Sequence, residues 1–140
     1  MNLTEGMNLV DRLLAIDAKQ ITEKETVKIE IKRLSKLTGE PFFVTVQEID
    51  GERYQELQMR LLNKKGKADF TKAYDTNLLV AVEGIIEPNL ADEKLQKHFG
   101  AATPKELASK LFQAGDLIKI SDVIAKLNGF GEEEEEEIKN

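Results

Sequence analysis

Cysteine and tryptophan are absent from this chain, and histidine occurs once, at His98. Without cysteine there is no disulfide framework, no thiol nucleophile and no thiolate metal site. One histidine cannot complete a common zinc site alone, so a solvated or locally hydrogen-bonded His98 is the simpler reading. Long apolar runs are missing too. None approaches the ~18–20 residues that span a bilayer, and the N-terminus lacks the basic, apolar and small-residue succession of a secretion signal. The expected setting is a cytoplasm.

The common signatures of phosphate and acyl chemistry are also missing. No stretch matches G-x-x-x-x-G-K-[ST], G-x-G-x-x-G or G-x-S-x-G. Asp92 and Glu93 are adjacent and would point in different directions on a helix, as capping and first-turn charges rather than a catalytic pair. The residues therefore predict a protein with no catalytic activity, cofactor or metal.

What remains is 140 residues, 41% of them hydrophobic, enough for one domain with a real core. The net charge of −6 is unevenly placed. Residues 132–140 hold six Glu and one Lys, a net −5, which leaves 20 acidic against 19 basic residues elsewhere. A nearly neutral body lacks the clustered Lys and Arg that displace counterions from nucleic acid.

Along the chain, Leu9, Leu13 and Ile16 share one helical face, with Val10 and Leu14 beside it, predicting a helix within residues 1–18. Residues 19–26 read as a polar connector. Val27, Ile29 and Ile31 alternate with Lys28, Glu30 and Lys32, the period of a half-buried strand. A polar stretch over 35–41 leads to a second strand, Phe42-Phe43-Val44-Thr45-Val46, and the two form an antiparallel hairpin that needs helices on one face.

Asp50 is placed to cap the next helix, with Ile49 and Tyr54 as a hydrophobic staple and Tyr54, Leu57 and Leu61 as its stripe. After the basic loop Asn63-Lys64-Lys65-Gly66-Lys67, Asp69 caps a longer helix running to about Ile86. Apolar residues nearly encircle that helix, marking it as the most buried, and Gly84 inside it marks a close helix crossing. Residues 79–82 leave a strand as the alternative. Pro88 closes the element.

Three short helices follow. Asp92 caps one carrying Leu95 and Phe99, which Gly100 stops. Thr103-Pro104-Lys105-Glu106 combines a cap, Pro at the first helical position and Glu at the third, and starts a helix with Leu107, Leu111 and Phe112 inward until Gly115. Asp116 opens the last, with Leu117, Ile120, Ile124 and Leu127 at helical spacing. Asn128-Gly129-Phe130 ends it, Gly taking a left-handed position and Phe130 folding back. So short a module must dock on the long helix or the hairpin.

The fold class expected is α+β and predominantly helical: one antiparallel hairpin packed with five to six helices. Residues 1–131 form a single domain: 1–26 an N-terminal helix and connector, 27–49 the hairpin, 50–87 two helices, 88–131 the three-helix module. Residues 132–140 form a disordered acidic tail, since like charges four apart disfavour a helix.

Three surfaces have a plain and a functional reading. The Lys64-Lys65-Gly66-Lys67 loop is a solvated turn, or a phosphate contact. The Glu run is a solubilising tail, or a mimic that docks on a basic partner. The stripe Leu117, Ile120, Ile124, Leu127, with Phe130, is core, or, where exposed, a groove for an amphipathic partner helix. A helix-turn-helix in the last two helices is the weaker alternative, a small DNA-binding or adaptor protein. There Lys119 and Lys126 are offset by Asp116 and Asp122, and no Arg, Asn or Gln faces outward to read bases.

Several pieces, taken in order, resemble the XkdN-like family of phage tail assembly chaperones. They are V-K-I-E-I-K-R-L at 27–34, P-F-F-V-T-V-Q-E-I at 41–49 and Y-D-T-N-L-L-V-A-V-E-G-I-I-E-P-N-L-A-D-E-K-L at 74–95. H-F-G-A-A-T-P-K-E-L at 98–107, A-G-D at 114–116 and L-N-G-F at 127–130 complete the set. Each alone is capping and packing chemistry; order and spacing carry the likeness, which covers about 27–130. The resemblance implies a non-enzymatic protein of the bacterial host cytoplasm. Its partners would be the tape measure protein, which it keeps soluble, and tail tube subunits, and it would be absent from the finished tail. The family supplies no catalytic motif to transfer.

Overall fold

The alternating residues 26–30 do form a strand, and the apolar run after Pro41 pairs with it antiparallel, Ile29 opposite Val44 and Val27 opposite Val46. This is a computed structural model, and it describes residue 6 and residues 8–131. The acidic tail expected to be disordered, 132–140, lies outside the described residues, as do residues 1–5 and 7.

The element order is α1 (Leu9–Leu14), α2 (Ala18–Thr22), β1 (Thr26–Glu30), α3 (Lys32–Thr38), β2 (Phe43–Gln47) and α4 (Gly51–Met59). A single 3-10 turn (Phe70–Lys72) leads into α5 (Ala73–Gly84), followed by β3 (Ile85–Glu87), α6 (Glu93–His98), α7 (Pro104–Leu111) and α8 (Ala114–Leu127). The class is α+β and predominantly helical, with eight α-helices among the described residues rather than five or six.

The expected hairpin is part of a three-stranded antiparallel sheet in the order β1-β2-β3. Its third strand comes from residues read as the end of the long helix. Ile85 and Ile86 are β-branched, and Pro88 disfavours helix at the residue before it. There Val46 pairs with Ile85 and Thr45 with Glu87, which satisfies backbone groups on the second edge of β2.

Two more helices stand where polar connections were expected. Between β1 and β2 the stretch 32–38 is α3, ended by Gly39 in the left-handed region (φ 81°). Ser35 locks it to the sheet: its hydroxyl donates to Glu30 (2.9 Å) and accepts from the Phe42 amide (2.8 Å). The expected connector over 19–26 begins with α2, capped by Asp17, whose own amide donates to Gln20 Oε1 (2.8 Å).

The C-terminal module follows its start signals closely. Asp92 accepts from the Leu95 amide and Thr103 from the Glu106 amide, while the Glu106 carboxylate accepts from the Ala102 amide. α8 begins two residues before Asp116, which sits at its third position and accepts from the Gln113 amide (2.9 Å). Its end is a Schellman motif: Gly129 (φ 92°) donates to Lys126 and Phe130 to Ala125.

One hydrophobic cluster joins the sheet, α4, α5, α7 and α8, with Val44, Val46, Leu57, Ala81, Leu107, Leu117, Ile120 and Ile124 fully buried. α5 is its central helix, and both α7 and α8 pack on it. Gly84 is the crossing point: a Cβ built there would lie 2.2 Å from Ile124 Cδ1. Asn128 closes the far end with a paired clamp on Ile49, accepting from its amide (3.1 Å) and donating to its carbonyl (2.6 Å).

Candidate partner-binding surface

The apolar stripe of α8 divides between core and surface. Leu117, Ile120 and Ile124 are 0% exposed and lie in the core, so the exposure that a partner groove on this stripe would need is not present at these three residues. The physical reason is Gly84, whose missing side chain lets α8 seat its apolar face directly on α5. Leu127 is half-buried, and Phe130 is 55% exposed.

Phe130 packs on Tyr54 of α4, ring centroids 5.7 Å apart. Together with Gly51, Gln55, Gln58 and Asn128 they line an open groove of about 600 Å³. Burial, and secondarily the Asp122 carboxylate, push the Tyr54 phenol above its ordinary pKa, so it is neutral and a hydrogen-bond donor near neutral pH. α4 is held to α5 by Arg53, whose guanidinium donates to both oxygens of Glu83 and to Glu56. These bonds, Glu83 first, keep Arg53 firmly protonated.

Asp50 departs from its expected role. It occupies the N-cap position of α4 but makes no capping hydrogen bond; its carboxylate takes a salt bridge from Lys24 instead (2.8 Å). That bond holds Asp50 below the usual carboxylate range. Ile49 and Tyr54 are both buried, consistent with the staple.

The larger surface lies at the other end of the chain. Leu9, Val10, Leu13, Leu14, Ile16 and Ile21 are between 39% and 77% exposed. No residue of α1 or α2 is buried, and none joins the core. α1 is nevertheless well started: Asn8 accepts from the Asp11 amide (2.8 Å). On it Leu9 and Leu13 lie one turn apart, with Ile16 in the bend just past the C-cap Ala15, and apolar pairs at i and i+4 are the anchors of a helix that lies in a partner's groove. Periodicity identified this helix but could not show that it stays exposed among the described residues. The one available hint was its position before a polar connector, outside the run of elements that share the core.

The other groups read for chemistry stay apart. His98 is exposed, its ring edge-on to Phe99. Among the described residues no group of three or more His, Cys, Asp or Glu could hold a metal ion. No described helix is long and apolar enough to cross a membrane.

An α+β body with a helical apolar arm and no clustered catalytic groups among the described residues has the form of a protein-binding module. The family model for the phage XkdN-like tail assembly chaperone protein matches residues 10–140, and the chain belongs to that family. Its fold is similar to the crystal structure of the protein YqbN, with a TM-score of 0.56 and 21% sequence identity over 78% of this chain and 88% of that one. No curated protein matches.

Proposed function

We propose that this tail assembly chaperone binds the tape measure protein, shields its apolar helical segments and keeps it soluble while tail tube subunits are recruited. The reading is non-enzymatic, set in the host cytoplasm, with release before the tail is finished. The observation that carries it is the arm, where five large apolar side chains on two short helices and Ile16 between them include no buried residue. Monomeric proteins rarely expose apolar side chains in one contiguous patch without a binding role. Phe130 and the groove beside Tyr54 offer a second, smaller contact on the body.

Co-expression with the tape measure protein of the same tail tests this. The wild-type chain should raise the soluble fraction of that protein and co-purify with it, and a Leu9→Glu/Leu13→Glu variant should lose both while melting normally. An unchanged partner solubility with the wild-type chain, or full activity of the variant, would overturn the reading.

A further inference from the structure

We infer that the glutamate run at 132–137 docks in cis on the basic and aromatic surface formed by residues 59–74. This goes beyond the chaperone reading and stands independently of it. The surface carries Arg60, Lys64, Lys65, Lys67 and Lys72, all exposed. Among the described residues none of these five is ion-paired. Its one acid, Asp69, is already engaged, accepting from the Thr71 amide and hydroxyl.

The loop is held in one shape before any ligand arrives. Asn63 Oδ1 accepts from the Lys65 amide (2.8 Å) and the Lys67 amide (3.1 Å). Gly66 takes a left-handed backbone (φ 76°), and Leu62 bridges to Ala68. Apolar groups surround the charges: Met59, Leu62 and Tyr74 are exposed, and Phe70 at 84% is the most exposed large hydrophobic residue described. A merely solvated turn has no use for Phe70 in that position. An acidic segment followed by an apolar residue has, and Glu132–137 is followed by Ile138.

Reach favours the chain's own tail. Phe130, two residues before the glutamate run, packs on Tyr54 of α4. From Tyr54 to Met59 that helix rises only about 8 Å, and six extended residues span up to ~20 Å. A groove beside Phe130 is lined by Tyr54, Gln55 and Gln58 of α4, the helix that ends at Met59. Tethering gives the tail an effective concentration of order mM, so even a weak charge pairing is populated. Because the surface is exposed, the contact must weaken with salt.

Zero-length carbodiimide cross-linking of the full chain, mapped by peptide mass spectrometry, tests the contact. The expected result is Glu132–137 joined within one molecule to Lys64, Lys65 or Lys67, at a yield independent of protein concentration. The cross-links should disappear near ~1 M salt, and also in a Lys64→Gln/Lys65→Gln/Lys67→Gln variant that still melts normally. Tail cross-links distributed equally over Lys119, Lys126 and the loop, or formed only between molecules, would overturn the inference.

Discussion

Two helices of this protein carry the same kind of stripe and meet opposite fates. Leu9, Leu13 and Ile16 of the α1 region recur at helical spacing, as do Leu117, Ile120 and Ile124 of α8. The second set is 0% exposed, while the first is open to solvent. Periodicity shows that a face is apolar; it does not show what covers it. On α8 the cover is α5, made accessible by Gly84, and among the described residues α1 has no such cover. The difference separates a buried scaffold helix from an exposed one, the proposed binding element, within one short chain.

Truncation should separate the two most strongly. Ile124→Ala should lower the unfolding free energy by about 2–5 kcal/mol, the range for opening a core cavity. Leu13→Ala should stay within about 0.5 kcal/mol, as for surface changes. Chemical denaturation of both variants checks the pair, and equal losses would break the comparison.

Next in size is the crossing itself. Gly84→Ala places a methyl against Ile124 Cδ1 and should destabilise by about 1–3 kcal/mol through overpacking. Adding Ile124→Val removes that carbon and should return part of the loss in a double-mutant cycle. A smaller contrast lies in the caps. Thr103→Ala should cost about 0.5–2 kcal/mol of global stability, whereas Asn8→Ala should reduce helical circular dichroism and leave the unfolding midpoint in place.

The smallest effect concerns Lys24–Asp50, the salt bridge where the arm meets the body. Asp50 has a folded pKa lowered from 3.8, first by the hydrogen bond from Lys24 and then by its charge. A depressed carboxylate contributes stability above its unfolded pKa and loses it as pH falls through the folded value. Asp50→Asn should therefore be slightly less stable than wild type at pH 7, by little because the pair is exposed. The difference should close under acid conditions below the folded pKa. Urea midpoints across that range check the sign.

Much of the body was legible from residues alone. The start signals at Asp92 and at Thr103-Pro104-Lys105-Glu106 act through side chains on their own backbone, so local order suffices to read them. Gly84 could be read as a crossing because a glycine inside a buried helix has few other uses. β3 was hidden because Ile85-Ile86 continue the apolar helix before them, and only the open edge of β2, a tertiary feature, makes them a strand. α3 was hidden because its short Lys-Arg-Leu-Ser-Lys-Leu-Thr run has no side-chain cap and is held by Ser35 reaching to Glu30 and Phe42. For the candidate surface the stripe on α8 was visible and read as core or, where exposed, a groove, and spacing alone could not decide between the two. The arm was visible as a helix, and its exposure was not. Both depend on contacts that sequence spacing does not encode.

Amide hydrogen exchange on the free chain and on its complex with the tape measure protein tests the central claim most directly. In the free chain, amides of α1 should exchange close to the unstructured rate while those of α5 and α8 are protected to the level of global unfolding. In the complex, protection should appear over Leu9–Leu14. Protection of α1 equal to that of α8 in the free chain, or no gain in the complex, would contradict it.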